Sequence, residues 1–194
     1  MKNQSLQEVL GQIRGIQRGN GVAVIDFAGV YKKARRKVYY VAAITGTSDI
    51  TSDGRLIEPS TNPEVGRTNF DKGNSLNEGR SFLVTGIRMS FDTTTSSVTK
   101  LIATYKDDAP VAFKNGELKI SQDGSGDLFN NPISPFVKNN AALSADQEFS
   151  PVVPFLLRSN VPFNIQTLLA GSATSGQAVR LELDGYELVD ADRA

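Results

Sequence analysis

Across residues 82–91 the chain alternates. Leu83, Ile87, Met89 and Phe91 fall on odd positions, with Thr85 the exception, while Gly86, Arg88 and Ser90 fall on the even set. A period of two predicts a strand with one face toward a core. The polar run 92–97 then predicts a turn into residues 98–105, making a hairpin. Residues 161–169 repeat the alternation, setting Phe163, Ile165, Thr167 and Leu169 against Asn164, Gln166 and Leu168. In residues 178–188, Val179, Leu181 and Leu183 oppose Arg180, Glu182 and Asp184, and Gly185 is the expected bulge that turns Tyr186 and Leu188 inward. Residues 22–30, 37–45 and 117–120 read as further strands from their β-branched and aromatic content. Residues 149–158 are apolar but contain Pro151 and Pro154, which places them at a sheet edge or in a bulged strand.

A different period governs the N-terminus. Leu6, Val9, Leu10, Ile13 and Ile16 recur at three- and four-residue steps behind Ser5 and Glu8, which have the spacing of a capping box. This predicts an amphipathic helix over 5–18, ended by Gly19-Asn-Gly21. A helix of about 14 residues is marginal alone in water, so the stripe needs a surface: its own domain, a partner subunit or a membrane. Residues 46–80 are polar and rich in turn formers, a connection far beyond ordinary loop length. Residues 122–147 read as irregular. The expected organisation is therefore a region 1–37, holding the helix, a first strand and a basic arm, and a β-sandwich over 38–194 with the long excursion 46–80. About eight strands and no long internal helix make the fold class all-β, a single jelly-roll sandwich, with an open barrel as competitor.

Charge sharpens this picture. The chain is formally neutral, with 21 basic and 21 acidic residues, yet residues 1–40 hold eight basic residues against two acidic ones and the remainder 13 against 19. Lys32, Lys33, Arg35, Arg36 and Lys37 crowd into six positions, joining two expected strands and running into the second. Such density attracts polyanions, either nucleic acid or lipid headgroups. A solvated connection or a guarded sheet edge accounts for it equally. Tyr31, Tyr39 and Tyr40 either stack on unpaired bases or fill the core.

The chemical inventory is thin. With no His and no Cys, thiolate chemistry, disulfides and the commonest metal ligand are excluded, and catalysis would rest on Asp, Glu, Lys, Tyr or Ser. No phosphate-binding glycine loop or nucleophile elbow occurs. The expectation is a protein that is not an enzyme and uses no cofactor. Asp123 and Asp127, spaced on a glycine-rich loop, are the one calcium candidate, although such clusters are usually plain turns. Asp107-Asp108 and the pair Asp146 and Glu148 lie beside turn formers with nothing to bring them together. No apolar run approaches the ~20 residues of a membrane span, and the first residues lack the apolar region of a signal peptide, so use without secretion is expected.

With strands, helix and basic arm laid out, the chain resembles the jelly-roll capsid proteins of tailless icosahedral bacteriophages. The closing segments 161–167 and 179–188 look like the last two strands of such domains. The resemblance implies a self-assembling virion protein, assembled in host cytoplasm into pentamers, hexamers or a larger shell with other capsid proteins. Its basic arm would face the genome or an internal membrane, and no small-molecule substrate is implied. At 194 residues there is room for one jelly roll, consistent with a single-barrel major protein, a vertex protein or a minor shell protein. The alternative is a carbohydrate- or receptor-binding β-sandwich using Asp123 and Asp127 for calcium.

Overall fold

A computed structural model describes residues 31–94, 102–106, 108–137 and 149–190, with backbone alone for residues 31–33. The helix expected over 5–18, with its stripe Leu6, Val9, Leu10, Ile13 and Ile16, lies outside the described residues. So do the strand expected over 22–30 and the residues Asp107, Asp146 and Glu148.

The regular secondary structure of the described residues is almost entirely β. In order it forms β1 (Tyr31–Ile44), β2 (Arg80–Asp92), one helical turn α1 (Val111–Lys114), β3 (Glu117–Gln122), β4 (Gly126–Pro132), a 3-10 turn (Ser134–Phe136), β5 (Ser150–Leu157), β6 (Phe163–Leu168) and β7 (Ala178–Asp190). Two sheets result, ordered β1-β7-β2-β5 and β4-β3-β6, with every named pair antiparallel. The first strand thus pairs with the last. Residues 54–56 run beside β6, through the bridge Arg55↔Gln166 and the bond from the Leu56 amide to the Ile165 carbonyl at 2.9 Å. β2 pairs with β5, and β3 with β4.

One hydrophobic core joins both sheets. Tyr39, Val41, Phe82, Ile87, Met89, Phe91, Leu181 and Leu183 come from the larger sheet, and Leu118, Ile120, Phe163 and Ile165 from the smaller. Each side chain of this size, removed from water, contributes about 1.5–3 kcal/mol. The long excursion is no bare loop. It carries no named strand, but it sends Leu56, Ile57, Phe70 and Leu76 into the core, and Phe70 stacks on Tyr39 at 4.7 Å between ring centroids. Residues 67–69 also line the outer edge of β1, where the Ala42 amide donates to the Arg67 carbonyl at 2.7 Å. The Asn69 side chain accepts from the Tyr40 amide and donates to the Val38 carbonyl.

Several sequence expectations are corrected. The cationic run is no connecting loop: it is the first half of β1, because strand pairing with β7 begins at Tyr31. The boundary expected at 37/38 therefore falls inside a strand. Residues 102–106 belong to no strand, so this part of the expected hairpin is absent. They are held instead by Asp92, whose carboxylate accepts from the amide and hydroxyl of Thr104. The irregular stretch 122–147 contains β4, because Asp123 to Ser125 make a tight turn and return the chain along β3.

The bulge lies elsewhere too. Thr85 of β2 is the extra residue, between the pairs Val84↔Gly185 and Gly86↔Asp184, whereas β7 runs past β1 without a shift at Gly185. Phe82 and Val84 therefore face the core and Leu83 faces away. On β7, Glu187 takes the inward position while Tyr186 and Leu188 stand on the opposite face. The proline-bearing β5 occupies the edge, opposite this irregularity.

Candidate functional site at the first and last strands

Cross-strand register builds the site. Antiparallel pairing sets Arg35 opposite Glu187, Arg36 opposite Tyr186 and Lys37 opposite Gly185. Side chains directly opposite or one diagonal step away can touch. Arg35 accordingly meets Glu187, and Arg36 reaches diagonally to Asp184 with two bonds of 3.1 Å. The two arginine side chains remain 63% and 65% exposed, so these pairs are anchored on the strand and open to solvent.

Lys37 turns inward at the glycine gap. Its Nζ donates to the Tyr39 hydroxyl at 2.7 Å and to Glu187 Oε1 at 3.0 Å, and lies 3.8 Å from Asp71 Oδ1. The Tyr39 hydroxyl is 3.2 Å from both Asp71 Oδ2 and Glu187 Oε1. It has one proton and so donates to one carboxylate at a time. Tyr39 is 0% and Glu187 1% exposed, while Lys37 and Asp71 are half-buried, so the network runs from the core to the surface beside an aromatic cluster. Phe70 stacks on Tyr39, and Phe82 meets it edge-on at 4.8 Å.

The electrostatics follow from that placement. Burial would push the Glu187 carboxyl up, but hydrogen bonds and charge from Arg35 and Lys37 outweigh it and hold the group below the usual glutamate range. Burial, with Asp71 and Glu187 nearby, pushes the Tyr39 phenol well above its ordinary value. Hydrogen bonding to Glu187 and Asp184 raises the guanidinium values of Arg35 and Arg36 respectively.

A second cluster sits on the opposite face of the same sheet. Glu182 bridges Arg88, at 2.6 Å, and Arg180, at 3.2 Å. Arg180 lies 4.3 Å over the Tyr40 ring and 5.7 Å from that of Tyr105, and Arg88 lies 4.6 Å over Phe149. Tyr105 adopts φ 46°, a left-handed conformation costly for a bulky side chain. Burial pushes its phenol up to about 12.

Of the sequence-predicted residues, Arg35, Arg36 and Lys37 come together with acids of their own chain, while Lys32 and Lys33 precede them on β1 with backbone placement alone. Asp123 and Asp127 flank the β3–β4 turn. Arg158 donates to the backbone carbonyl of Asp123 at 2.7 Å, and Asp127 pairs with Lys119 at 3.1 Å. Among the described residues no three carboxylates, histidines or cysteines gather as metal ligands. Asp108 pairs with Lys114. No helix among the described residues is long and apolar enough to cross a membrane.

Sequence reasoning missed Asp71, Asp184 and Glu187 as partners of the basic run. The usable signal was the charge split itself, since an acidic last strand is the natural neighbour of a basic first one. No family model matches the chain, and no curated protein matches it.

Proposed function

We propose that this chain is a jelly-roll capsid subunit, a self-assembling structural protein of a virion. The observation that carries the reading is the nesting of the strand pairs. Counting the segment around Arg55 as a strand gives eight in chain order, and they pair first with last, second with seventh, third with sixth and fourth with fifth. A long hairpin folded upon itself gives this pairing, and its rolling into two sheets is the jelly roll. The excursion 46–80 supplies lateral surface of the kind subunits use to meet. The thin catalytic inventory agrees with a structural role.

In this reading the basic end of the molecule faces the genome or an internal membrane. Lys37 is committed to Glu187, while Arg35 and Arg36 pair with Glu187 and Asp184 yet keep 63% and 65% of their side chains exposed, so contact with polyanions falls to Lys32, Lys33 and the open faces of these two arginines. Binding there is independent of base sequence, because charge density alone drives counterion release.

Light scattering and negative-stain microscopy of the purified full chain test the proposal. Pentamers, hexamers or closed particles are expected, favoured by raised protein concentration and by single-stranded nucleic acid or anionic vesicles. A strictly monomeric protein under all of these conditions would overturn it.

A further inference from the structure

Asp71, Lys37 and Glu187 stand on three neighbouring segments: the excursion beside the outer edge of β1, β1 itself, and β7 on its other side. Lys37 Nζ lies between the two carboxylates, 3.8 Å from Asp71 Oδ1 and 3.0 Å from Glu187 Oε1. The Tyr39 hydroxyl lies 3.2 Å from Asp71 Oδ2, and Phe70 and Phe82 pack on the Tyr39 ring, leaving the Lys37 and Asp71 side chains 22% and 16% exposed. An amine, a carboxyl, a buried carboxylate able to accept a proton and an oxyanion donor are thus held together at one half-buried corner. We propose that Lys37 and Asp71 become joined by an intramolecular isopeptide bond, with Glu187 as the catalytic residue that moves the protons.

The step balances without any co-reactant. Glu187 Oε1 takes one proton from the Lys37 ammonium, and the freed lone pair attacks Cγ of Asp71 to form the C–N bond. Tyr39 donates its O–H to Oδ2, where negative charge develops. Glu187 returns its proton to Oδ1, a second proton leaves the nitrogen for the same oxygen, and the C–Oδ1 bond breaks to release water. Ammonium and carboxylate become amide and water, with nothing oxidised or reduced. Proximity favours the reaction here. Fixed neighbours react as if at very high concentration, with effective molarities of order 10⁵ M or more in well-aligned cases. The product would tie β1 to the excursion in a chain that has no cysteine for a disulfide. The inference stands apart from the capsid reading, since it concerns one chain.

Intact-mass spectrometry of the purified protein, followed by peptide mapping, decides it. The expected result is a mass about 18 Da below that of the sequence, the mass of one water, and a branched peptide joining Lys37 to Asp71. Lys37→Arg should restore the full mass, and Glu187→Gln should slow or abolish the loss. Asp71→Asn should shed ammonia instead, a loss of about 17 Da. A wild-type chain at full mass would overturn the proposal. So would a water loss that persists in Lys37→Arg, or one that maps to the Asp-Gly pairs at Asp53, Asp123 or Asp184 without a branched peptide.

Discussion

Glu187 occupies a β7 position that alternation reserves for an apolar side chain, and it remains charged there because Arg35 and Lys37 reach it. Its folded carboxyl titrates below its unfolded value. Its contribution to stability is therefore present above the unfolded value and lost as pH falls through the folded one. Asp92, held below its ordinary range by bonds from Thr104 and Thr94 despite burial, acts in the same direction. Tyr39 acts oppositely in pH. Its raised phenol favours folding below the unfolded value near 10 and loses that contribution as pH rises past it. Urea midpoints measured from pH 3 to 11 should form a plateau that falls below about pH 4 and above about pH 10. Glu187→Gln should flatten the acid limb.

Gly185 is a residue-scale requirement of another kind. A Cβ there would stand 1.9 Å from the Leu83 carbonyl oxygen and 3.1 Å from the Phe82 ring. Gly185→Ala must push β2 and β7 apart, and overpacking of this type costs about 1–3 kcal/mol or more. Its urea midpoint should drop accordingly, while a wild-type midpoint would refute the close approach. The sequence marked Gly185 as special but assigned the wrong cause. A bulge and a backbone contact both call for glycine, and only the neighbouring strand distinguishes them.

At the scale of elements, β2 is two half-strands of opposite phase joined at Thr85. Phe82 and Val84 face the core before it, and Ile87, Met89 and Phe91 face the core after it. Deleting Thr85 removes the extra residue and forces a one-residue slip. Phe82 and Val84, or else Ile87, Met89 and Phe91, would then turn away from the core. Loss of cooperative thermal unfolding is expected, checked by calorimetry, and a sharp native-like transition would contradict this account. Alternation in the sequence exposed the second half-strand correctly. It misread the first because Leu83 is as apolar as its core-facing neighbours, and pattern alone cannot place a phase change between apolar residues. The same blindness hid β4, whose exposed Asn130 and Asn131 give it no apolar alternation.

For the whole molecule, the opposed charges of the two ends are brought together by the pairing of first strand with last. Much of the basic run is thereby answered within the chain. Lys32→Gln/Lys33→Gln/Arg36→Gln leaves Arg35 and Lys37 on Glu187, so it should fold. It should lower the salt slope of binding to single-stranded nucleic acid by about 2, at ~0.7 for each phosphate no longer neutralised. Salt titration checks this, and an unchanged slope would remove the basic run from the binding surface.

What the sequence determined by itself was local. Period-two alternation, β-branched content and turn formers specified an all-β chain and most strand positions, because these depend on neighbours a few residues away. Prolines 151 and 154 pointed to an edge or a bulged strand by their missing amides, and the pairing placed β5 at the edge. Tertiary structure alone decided which strands meet, and with that the environment of every charge. Lys37 sees Glu187 and Asp71 only because the chain closes its first strand between its last one and the excursion. The basic run was legible as charge, but whether those charges faced solvent or their own carboxylates depended on pairing between residues some 150 positions apart.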